Sequence, residues 1–110
     1  MANTFKLKTK ANVGVTTVGI YTAPASTTTV VIGITLANTS GSGVNVGVAV
    51  SRTSVTKEDI KLLKNAPIPS GSSLEFMSGN KIVLETSDQI NVDSDTNNSV
   101  DAALTIMEIT

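Results

Sequence analysis

The stretch Thr28–Ser51, TTVVIGITLANTSGSGVNVGVAVS, decides the fold. Apolar residues occupy every second position in both of its halves: Val30, Ile32, Ile34 and Leu36, then Val44, Val46, Val48 and Val50. A repeat of two over runs this long predicts β-strands with one buried face. The polar, glycine-bearing segment 38–43 between them indicates a reversal of the chain. The stretch therefore predicts a long antiparallel β-hairpin at the centre of a β-sandwich.

The composition favours a single domain with an aliphatic core. A chain of 110 residues is near the commonest domain size and can bury roughly two-thirds of its unfolded surface. Hydrophobic residues make up 40% of it and aromatic residues only 3%, so Val, Ile and Leu must fill the interior. Such a core suits two packed sheets better than a ligand pocket, which usually has aromatic walls. We expect one β-sandwich domain over residues 1–110, with residues 1–12 as an exposed or donated N-terminal arm.

Charge and hydropathy argue against several classes of partner. The net charge is −1 and only 15% of residues are charged, without the clustered Lys and Arg of a nucleic-acid-binding protein. No apolar run approaches the ~20 residues of a transmembrane helix, and MANTFKLKTK at the N-terminus is not a hydrophobic signal region. We therefore expect no membrane partner and no classical secretion. Exposed strands with so little charge pair readily with neighbours, which favours a protein that works assembled.

Further short strands flank the central stretch. They are predicted over residues 5–10, 13–22, 60–66, 74–76, 81–85, 89–92 and 100–109. Thr56 and Asp59 resemble a weak capping box that would begin a short helix over 57–64. Because Pro67 and Pro69 follow closely, a loop at 55–59 leading into a strand is preferred. About eight or nine short strands in this order predict an all-β, antiparallel, jelly-roll-like sandwich.

Residues suited to catalysis are scarce. The chain has no His and no Cys, which removes the commonest general acid/base, the usual activator of a nucleophile, disulfides and the standard structural zinc sites. A Ser–Lys dyad is formally open, but nothing in the sequence places a Ser in a nucleophile elbow or beside a buried Lys. We expect a non-enzymatic protein without a cofactor.

The acidic segment Asp93–Asn98, DSDTNN, is the candidate metal site. Its D-x-D-x-N pattern matches the opening of an EF-hand loop, but Asn98 stands where that loop needs Gly and Leu104 where it needs Glu. Strands instead of helices flank it, which excludes an EF-hand. A looser Ca²⁺ site through Asp93 and Asp95 stays open, because oxygen ligands suit this ion. The preferred interpretation is a solvated turn whose side chains bond their own backbone, with no metal.

The candidate interface residues lie on the first two predicted strands and in the central linker: Phe5, Lys6, Lys8, Tyr21, Thr39 and Ser42. Lys6 and Lys8 share a face that would suit an acidic partner, or that simply protects an edge strand by its charge. Tyr21 is placed at an interface because its hydroxyl needs water or a partner. Residues 5–10 could be donated to a neighbour, since termini are the easiest segments to donate.

Five segments carry a resemblance to a known group of proteins: IYTAPASTTTVV (20–31), LANTS (36–40), LLKNAPIPSGSSLEF (62–76), KIVLETSDQINV (81–92) and DAALTIMEIT (101–110). Together they resemble the small β-rich virion proteins of tailed bacteriophages, including phages of cyanobacteria. The resemblance extends from about residue 18 to residue 110. This chain departs from many of those proteins at Glu85–Asp88, where a glycine often precedes the aspartate.

The resemblance implies a structural protein of a virion that is assembled in the host bacterial cytoplasm. The expected function is capsid decoration, in which a cement protein docks on the major capsid protein or other virion proteins and stabilises the particle. A homo-oligomer is expected, with a trimer preferred. Placement at the neck, tail or fibre is the alternative, as is a receptor-binding module whose contact loops are 39–43 and 93–98. An enzyme is the least favoured hypothesis.

Overall fold

Two antiparallel sheets form the structure, a computed structural model that describes residues 3–53, 58–76 and 81–110. The strands are β1 (Asn3–Val13), β2 (Val18–Thr22), β3 (Thr28–Asn38), β4 (Val44–Ser51), β5 (Ile60–Ile68), β6 (Ser73–Phe76), β7 (Ile82–Leu84), β8 (Gln89–Ser94) and β9 (Val100–Ile109). Sheet A has the order β1-β9-β3-β6, with β7 also paired to β3, and sheet B has the order β2-β8-β4-β5. None of the described segments is a helix long and apolar enough to cross a membrane.

The strand order is that of a jelly roll, which confirms the predicted fold class. β6 pairs with Ile34–Ala37 and β7 with Thr29–Val31, so the two act as one interrupted strand along the same edge of β3. Each sheet then has four strand positions. Within the described residues, β4 and β5 are the one pair of consecutive strands that are hydrogen-bonded neighbours. Apart from β4–β5 and β6–β7, each connection between consecutive strands crosses from one sheet to the other. Crossings of this kind build the two interlocked Greek keys of a jelly roll.

The hairpin predicted over Thr28–Ser51 is wrong, although both of its strands exist. β3 lies in sheet A between β9 and the interrupted strand β6–β7, whereas β4 lies in sheet B between β8 and β5. The polar linker therefore crosses from one sheet to the other instead of reversing within a sheet. The alternation of apolar residues tells which face of a strand is buried and not which strand lies beside it. The same pattern fits both arrangements.

β3 also contains an irregularity that simple alternation does not predict. Its register with β9 shifts between Val31 and Gly33, as at a β-bulge. The extra residue changes the phase of the strand, so that Val31 and Ile34 are both buried. Val30 and Ile32, which were predicted to face inward with Ile34, are only half-buried. The inward residues predicted for β4 and β9 are all buried as expected: Val44, Val46, Val48, Val50, Val100, Ala102, Leu104 and Ile106.

The remaining strands agree with the prediction to within a few residues. The first strand continues to Val13, and the second begins only at Val18, after a connection over residues 14–17. β5 runs from Ile60 to Ile68, so the helix considered over 57–64 is wrong from Ile60 onward; Thr56 lies outside the described residues. β5 includes Pro67, which an edge strand tolerates because the missing N–H can face away from the neighbouring strand.

The core between the sheets is aliphatic, as the composition predicts. Its largest fully buried side chains are Leu36, Ile68, Leu84, Ile90, Leu104 and Ile106. Each such side chain contributes about 1.5–3 kcal/mol relative to an exposed one. The aromatic ring of Tyr21 joins this core, and the residue is 7% exposed.

The turn between β7 and β8 contains a left-handed residue that is not glycine. Ser87 has φ 74°, the region in which glycine is the easiest residue to place. The side chains around it hold the turn: Asp88 accepts from the backbone N–H of Glu85 at 2.9 Å, and Arg52 contacts both carboxylates. The Arg52 Nε lies 3.1 Å from Asp88 Oδ1, and its Nη2 lies 2.6 Å from Glu85 Oε1. Arg52 therefore links the end of β4 to this turn.

Candidate interaction surface

β1 is the strand that the fold leaves most exposed. It pairs with β9 from Asn3 opposite Ile109 to Lys10 opposite Ala102, and its other edge pairs with no described strand. Of its eleven residues Val13 is buried and Lys8 is half-buried, while the others are exposed. The predicted edge strand is confirmed. β1 adds backbone hydrogen bonds to the sheet but almost no buried side-chain surface.

The predicted N-terminal arm is folded onto its own chain. Residues 3–12 belong to sheet A, so donation of this segment to a neighbour would require β1 to leave β9. The edge of β1 that pairs with no described strand is available without any such exchange. A partner strand can add to an edge of this kind by main-chain hydrogen bonds.

The two faces of β1 differ in chemistry. Paired residues of an antiparallel sheet share a face, and Lys6, Lys8 and Lys10 lie opposite Ile106, Leu104 and Ala102, all of which point to the core. The predicted common face of the lysines is therefore confirmed. Phe5 and Leu7 point the other way, to the outside of sheet A, where their exposed fractions are 69% and 64%.

A hydrogen-bonded network joins β1 to the interior at one end of the sandwich. Lys6 Nζ lies 2.8 Å from Glu108 Oε1, and Tyr21 donates its hydroxyl hydrogen to Glu108 Oε2 at 2.6 Å. The same hydroxyl lies 2.7 Å from Thr29 Oγ1. Glu108 is 6% exposed, so this carboxylate depends on the two side chains for its solvation. Lys6 is therefore already paired within the chain.

The network shifts the pKa values of both acidic groups in opposite directions. The hydrogen bond from Lys6, followed by that from Tyr21, lowers the pKa of Glu108 below its usual value. Burial, followed by the hydrogen bond to Glu108, raises the pKa of Tyr21 to about 12. Tyr21 was expected at an interface, and this expectation is corrected by its position: its hydroxyl finds its partner inside the chain. Only a small part of its ring is exposed.

The linker of the central stretch is held by one buried amide. Asn38 is 3% exposed, and its Nδ2 donates to the carbonyls of Ser42 at 2.8 Å and Ile68 at 2.9 Å. Its Oδ1 accepts from the backbone N–H of Ser40 at 2.9 Å and from the Ser40 hydroxyl at 2.8 Å. Ile68 belongs to sheet B, so Asn38 fixes the crossing between the two sheets. We call residues 38–43 the arch.

Three loops meet at the arch end of the sandwich. Thr39 donates its backbone N–H to the Ser99 carbonyl at 2.8 Å, which joins the arch to the loop 95–99. The Ser70 hydroxyl donates to the Ser40 carbonyl at 2.8 Å, which joins the turn after β5. Thr39 and Ser42, both interface candidates, are exposed there. The structure thus brings the two predicted contact loops together.

The candidate metal ligands Asp93 and Asp95 each have hydrogen-bond partners within the chain. Asp93 lies in β8 and accepts from the Thr17 hydroxyl at 3.2 Å. Asp95 follows the strand, and its Oδ1 accepts from the backbone N–H of Asn45 and from the Thr96 hydroxyl, both at 3.1 Å. In the described ranges no three Asp or Glu side chains come together as a group that could hold a metal ion. This geometry fits a hydrogen-bonded turn.

Sequence reasoning missed two residues that organise these surfaces. Glu108 continues the inward phase of β9 after Leu104 and Ile106, so a charge at that position signals a buried partner. Asn38 ends the inward phase of β3 in the same way. A polar residue on the buried phase of a strand needs a hydrogen-bond partner, and that signal could have identified both.

Comparison with known proteins supports the fold. No protein-family model matches the chain, and no curated protein matches it. Among solved structures, the chain is similar to one from Bacillus endospore appendages, which form disulfide-linked pili, with a TM-score of 0.51 and 15% sequence identity. The match covers 99% of this chain and 87% of that one. At this identity the likeness concerns the fold alone, and the present chain has no Cys with which to form a disulfide.

Proposed function

We propose that the protein is a non-enzymatic structural subunit of a phage particle and that it decorates the capsid by docking on other virion proteins. The observation that carries the proposal is β1, an eleven-residue edge strand that has exposed side chains on both faces and one edge that pairs with no described strand. Because most side chains of β1 are not buried within the chain, they are available to become buried against another protein.

Two further observations support a structural role. The resemblance to small virion proteins covers most of the chain, and the fold is similar to that of a chain from bacterial pili, which are assemblies of structural subunits. Without Cys, contacts of this chain with its neighbours must be non-covalent or use other residues. Buried interface area and strand pairing would then supply the stabilisation of the particle.

The lysines of β1 define the kind of strand that fits its free edge. If two copies of β1 paired antiparallel, lysines of one copy would lie opposite lysines of the other, and like charges directly opposite destabilise a sheet. Lys8 and Lys10 form no ion pair with any described residue. The preferred partner is therefore an extended segment of a shell protein that carries Asp or Glu on the matching face.

Proline substitutions at Leu7 and Lys8 are expected to separate docking from folding. Successive N–H groups of a strand point to opposite edges, so one of the two variants disrupts pairing with β9 while the other disrupts only the free edge. We expect the more stable variant of the two to lose binding to purified capsids that lack the protein, measured by co-sedimentation.

A double substitution, Lys8→Glu and Lys10→Glu, tests the charge of the partner. It should weaken capsid binding by about tenfold or more at low salt. Because the charge of Lys8 also favours the Glu108 carboxylate, some stability should be lost, so binding is compared under conditions in which urea denaturation shows the variant to be folded. Full binding by the free-edge proline variant and by the charge variant would show that docking uses another surface.

The second candidate is a neck, tail or fibre component, and the loops at the arch end favour it. Three adjacent loops with Thr39, Ser42 and Ser70 at their surface form a contact area of the kind that receptor-binding modules use. The copy number in purified particles, measured by quantitative mass spectrometry against the major shell protein, separates the two. Hundreds of copies support decoration, a few to a few dozen support the tail or fibre, and absence contradicts both.

A further inference from the structure

The outer face of sheet A, which points away from the core, carries large apolar side chains at one end. The register places Phe5 beside Met107, Met107 beside Val30 and Val30 beside Val83, so four strands contribute one row. Val83 is 55% exposed, and Leu7 extends the row along β1. Contiguous apolar surface of this kind marks an interaction site, whereas single exposed apolar residues do not.

The other end of the same face is lined by small side chains. Thr35 and Ala103 are paired there, and Gly33 lies opposite Thr105 near the middle of the sheet. These residues line a shallow depression beside Ile32. A Cβ atom added at Gly33 would meet nothing within 4 Å, so the depression is open to the outside. The face therefore has an apolar ridge at one end and a groove at the other.

The outer face has little charge. Among the outward-facing strand residues that the structure describes, Asp101 and Glu75 are the charged ones, and both lie at the end with small side chains. The lysines of β1 point to the opposite side of the sheet. Depletion of charge is the compositional sign of the central part of a protein interface.

We infer that this face packs against the same face of a second copy of the chain around a two-fold axis. An axis that runs across the strands near Gly33 and Thr105 places the ridge of each copy over the groove of the other, with Met107 over Ala103 of the second copy. Each contact then occurs twice, as an isologous interface requires. Asp101 lies near one end of the face. Glu75 lines the depression but belongs to the edge strand β6, so water can solvate both carboxylates at the rim.

The size of the face fits a stable pair. Its four strand positions are about 4.8 Å apart and rise about 3.4 Å per residue, so the ten residues of β9 define a face on the order of 700 Å². Specific interfaces bury about 800 Å² on each partner. Sheets packed face to face lie about 10 Å apart, which the ridge and groove can fill.

The inference goes beyond the docking role of β1 and is tested without any particle. In sedimentation velocity of the purified full chain over a range of concentrations, we expect a reversible dimer. Gly33→Leu should raise the dissociation constant about thirtyfold or more by filling the groove. Because the added side chain points into open space, the isolated chain should unfold at the same or higher denaturant concentration. Gly41→Leu is the matched control, since a Cβ there also meets nothing within 4 Å but lies in the arch.

A second pair of variants tests the ridge. Leu7→Glu should weaken the dimer as strongly as Gly33→Leu, whereas Val15→Glu, at a residue that is 56% exposed outside sheet A, should leave it unchanged. A chain that stays monomeric at all concentrations, a trimer, or a dimer that survives Gly33→Leu would overturn the inference. Gly33→Leu leaves β1 unaltered, so capsid binding by this variant reports on the proposed function separately.

Discussion

Replacing Asn38 by alanine is expected to lower the free energy of unfolding by about 3 kcal/mol. The change removes four hydrogen bonds of a buried amide and leaves the Ile68 carbonyl without this donor. A buried group left without its partner costs about 1–3 kcal/mol, and the other bonds add to this. Urea denaturation at neutral pH measures the loss. A loss below about 1 kcal/mol would show that the arch is held by other contacts.

Asn38→Asp is the matched variant, because it keeps the shape of the side chain and changes only its donor. The carboxylate can still accept from Ser40, but it faces the carbonyl oxygens of Ser42 and Ile68 with no hydrogen to donate. We expect a greater loss than for alanine at neutral pH. The loss should shrink at acidic pH, where a protonated carboxyl group can donate to one carbonyl. Equal stability of the two variants at both pH values would argue against a role for the donor.

Tyr21→Phe is expected to cost about 2 kcal/mol at neutral pH. It removes the hydroxyl that donates to Glu108, a residue that is 6% exposed. The ion pair between Glu108 and Lys6 remains in the variant. Phenylalanine preserves the packing of the ring, so the loss reports on the hydrogen bond. Thr29→Val is the control for the other partner of the hydroxyl, and it should cost less because it leaves the donor to Glu108 in place. Equal losses for both variants would contradict this assignment.

The same substitution should remove a pH dependence on the alkaline side. The pKa of Tyr21 is raised from 10.0 to about 12 in the folded state. The contribution of its hydroxyl to the free energy of unfolding is therefore complete below pH 10 and is lost as the pH rises through 12. The difference in stability between wild type and Tyr21→Phe should therefore shrink across that window. Since the chain has one tyrosine and no tryptophan, its absorbance change on ionisation reads the same pKa directly. A midpoint near pH 10 in the folded protein would contradict the buried network.

In acid, stability depends on pH in the opposite direction: it falls as the pH is lowered. The pKa of Glu108 is lowered in the folded state, so its contribution is present above the usual glutamate pKa and is lost as the pH falls through the folded value. Tyr21→Phe keeps the contact with Lys6 and should weaken this acid dependence without abolishing it. Lys6→Met should weaken it more, because the hydrogen bond from Lys6 is the larger cause of the shift.

The sequence predicts the strands well because alternation is a local property. β9 has the bounds and the inward residues that its alternation predicts, and β4 has the predicted inward valines. Which strands are neighbours in a sheet depends on contacts between residues far apart in the chain. The pairing of β3 with β9 and of β4 with β8 could therefore not be predicted from the alternation of apolar residues. The bulge at Val31–Gly33 was equally hidden, because the added residue changes the phase without changing the composition.

The candidate surface was predictable in part for the same reason. The edge position of β1 and its lysine face follow from a short charged strand at the start of the chain. The burial of Tyr21 depends on Glu108, which lies 87 positions away, and no local pattern relates them. The apolar row on sheet A is assembled from four strands, so Phe5, Val30, Val83 and Met107 show no common spacing in the sequence.

The pairing of β1 with β9 has a consequence for how the chain is made. β1 leaves the ribosome before β9, with which it pairs from Asn3 opposite Ile109 onward, so β1 stays without its partner until β9 has been made. Contacts between residues so distant in the chain form slowly, because closing the long loop costs entropy before the contacts repay it. Until then both edges of β1 are open to strands of other chains, so association during synthesis competes with folding.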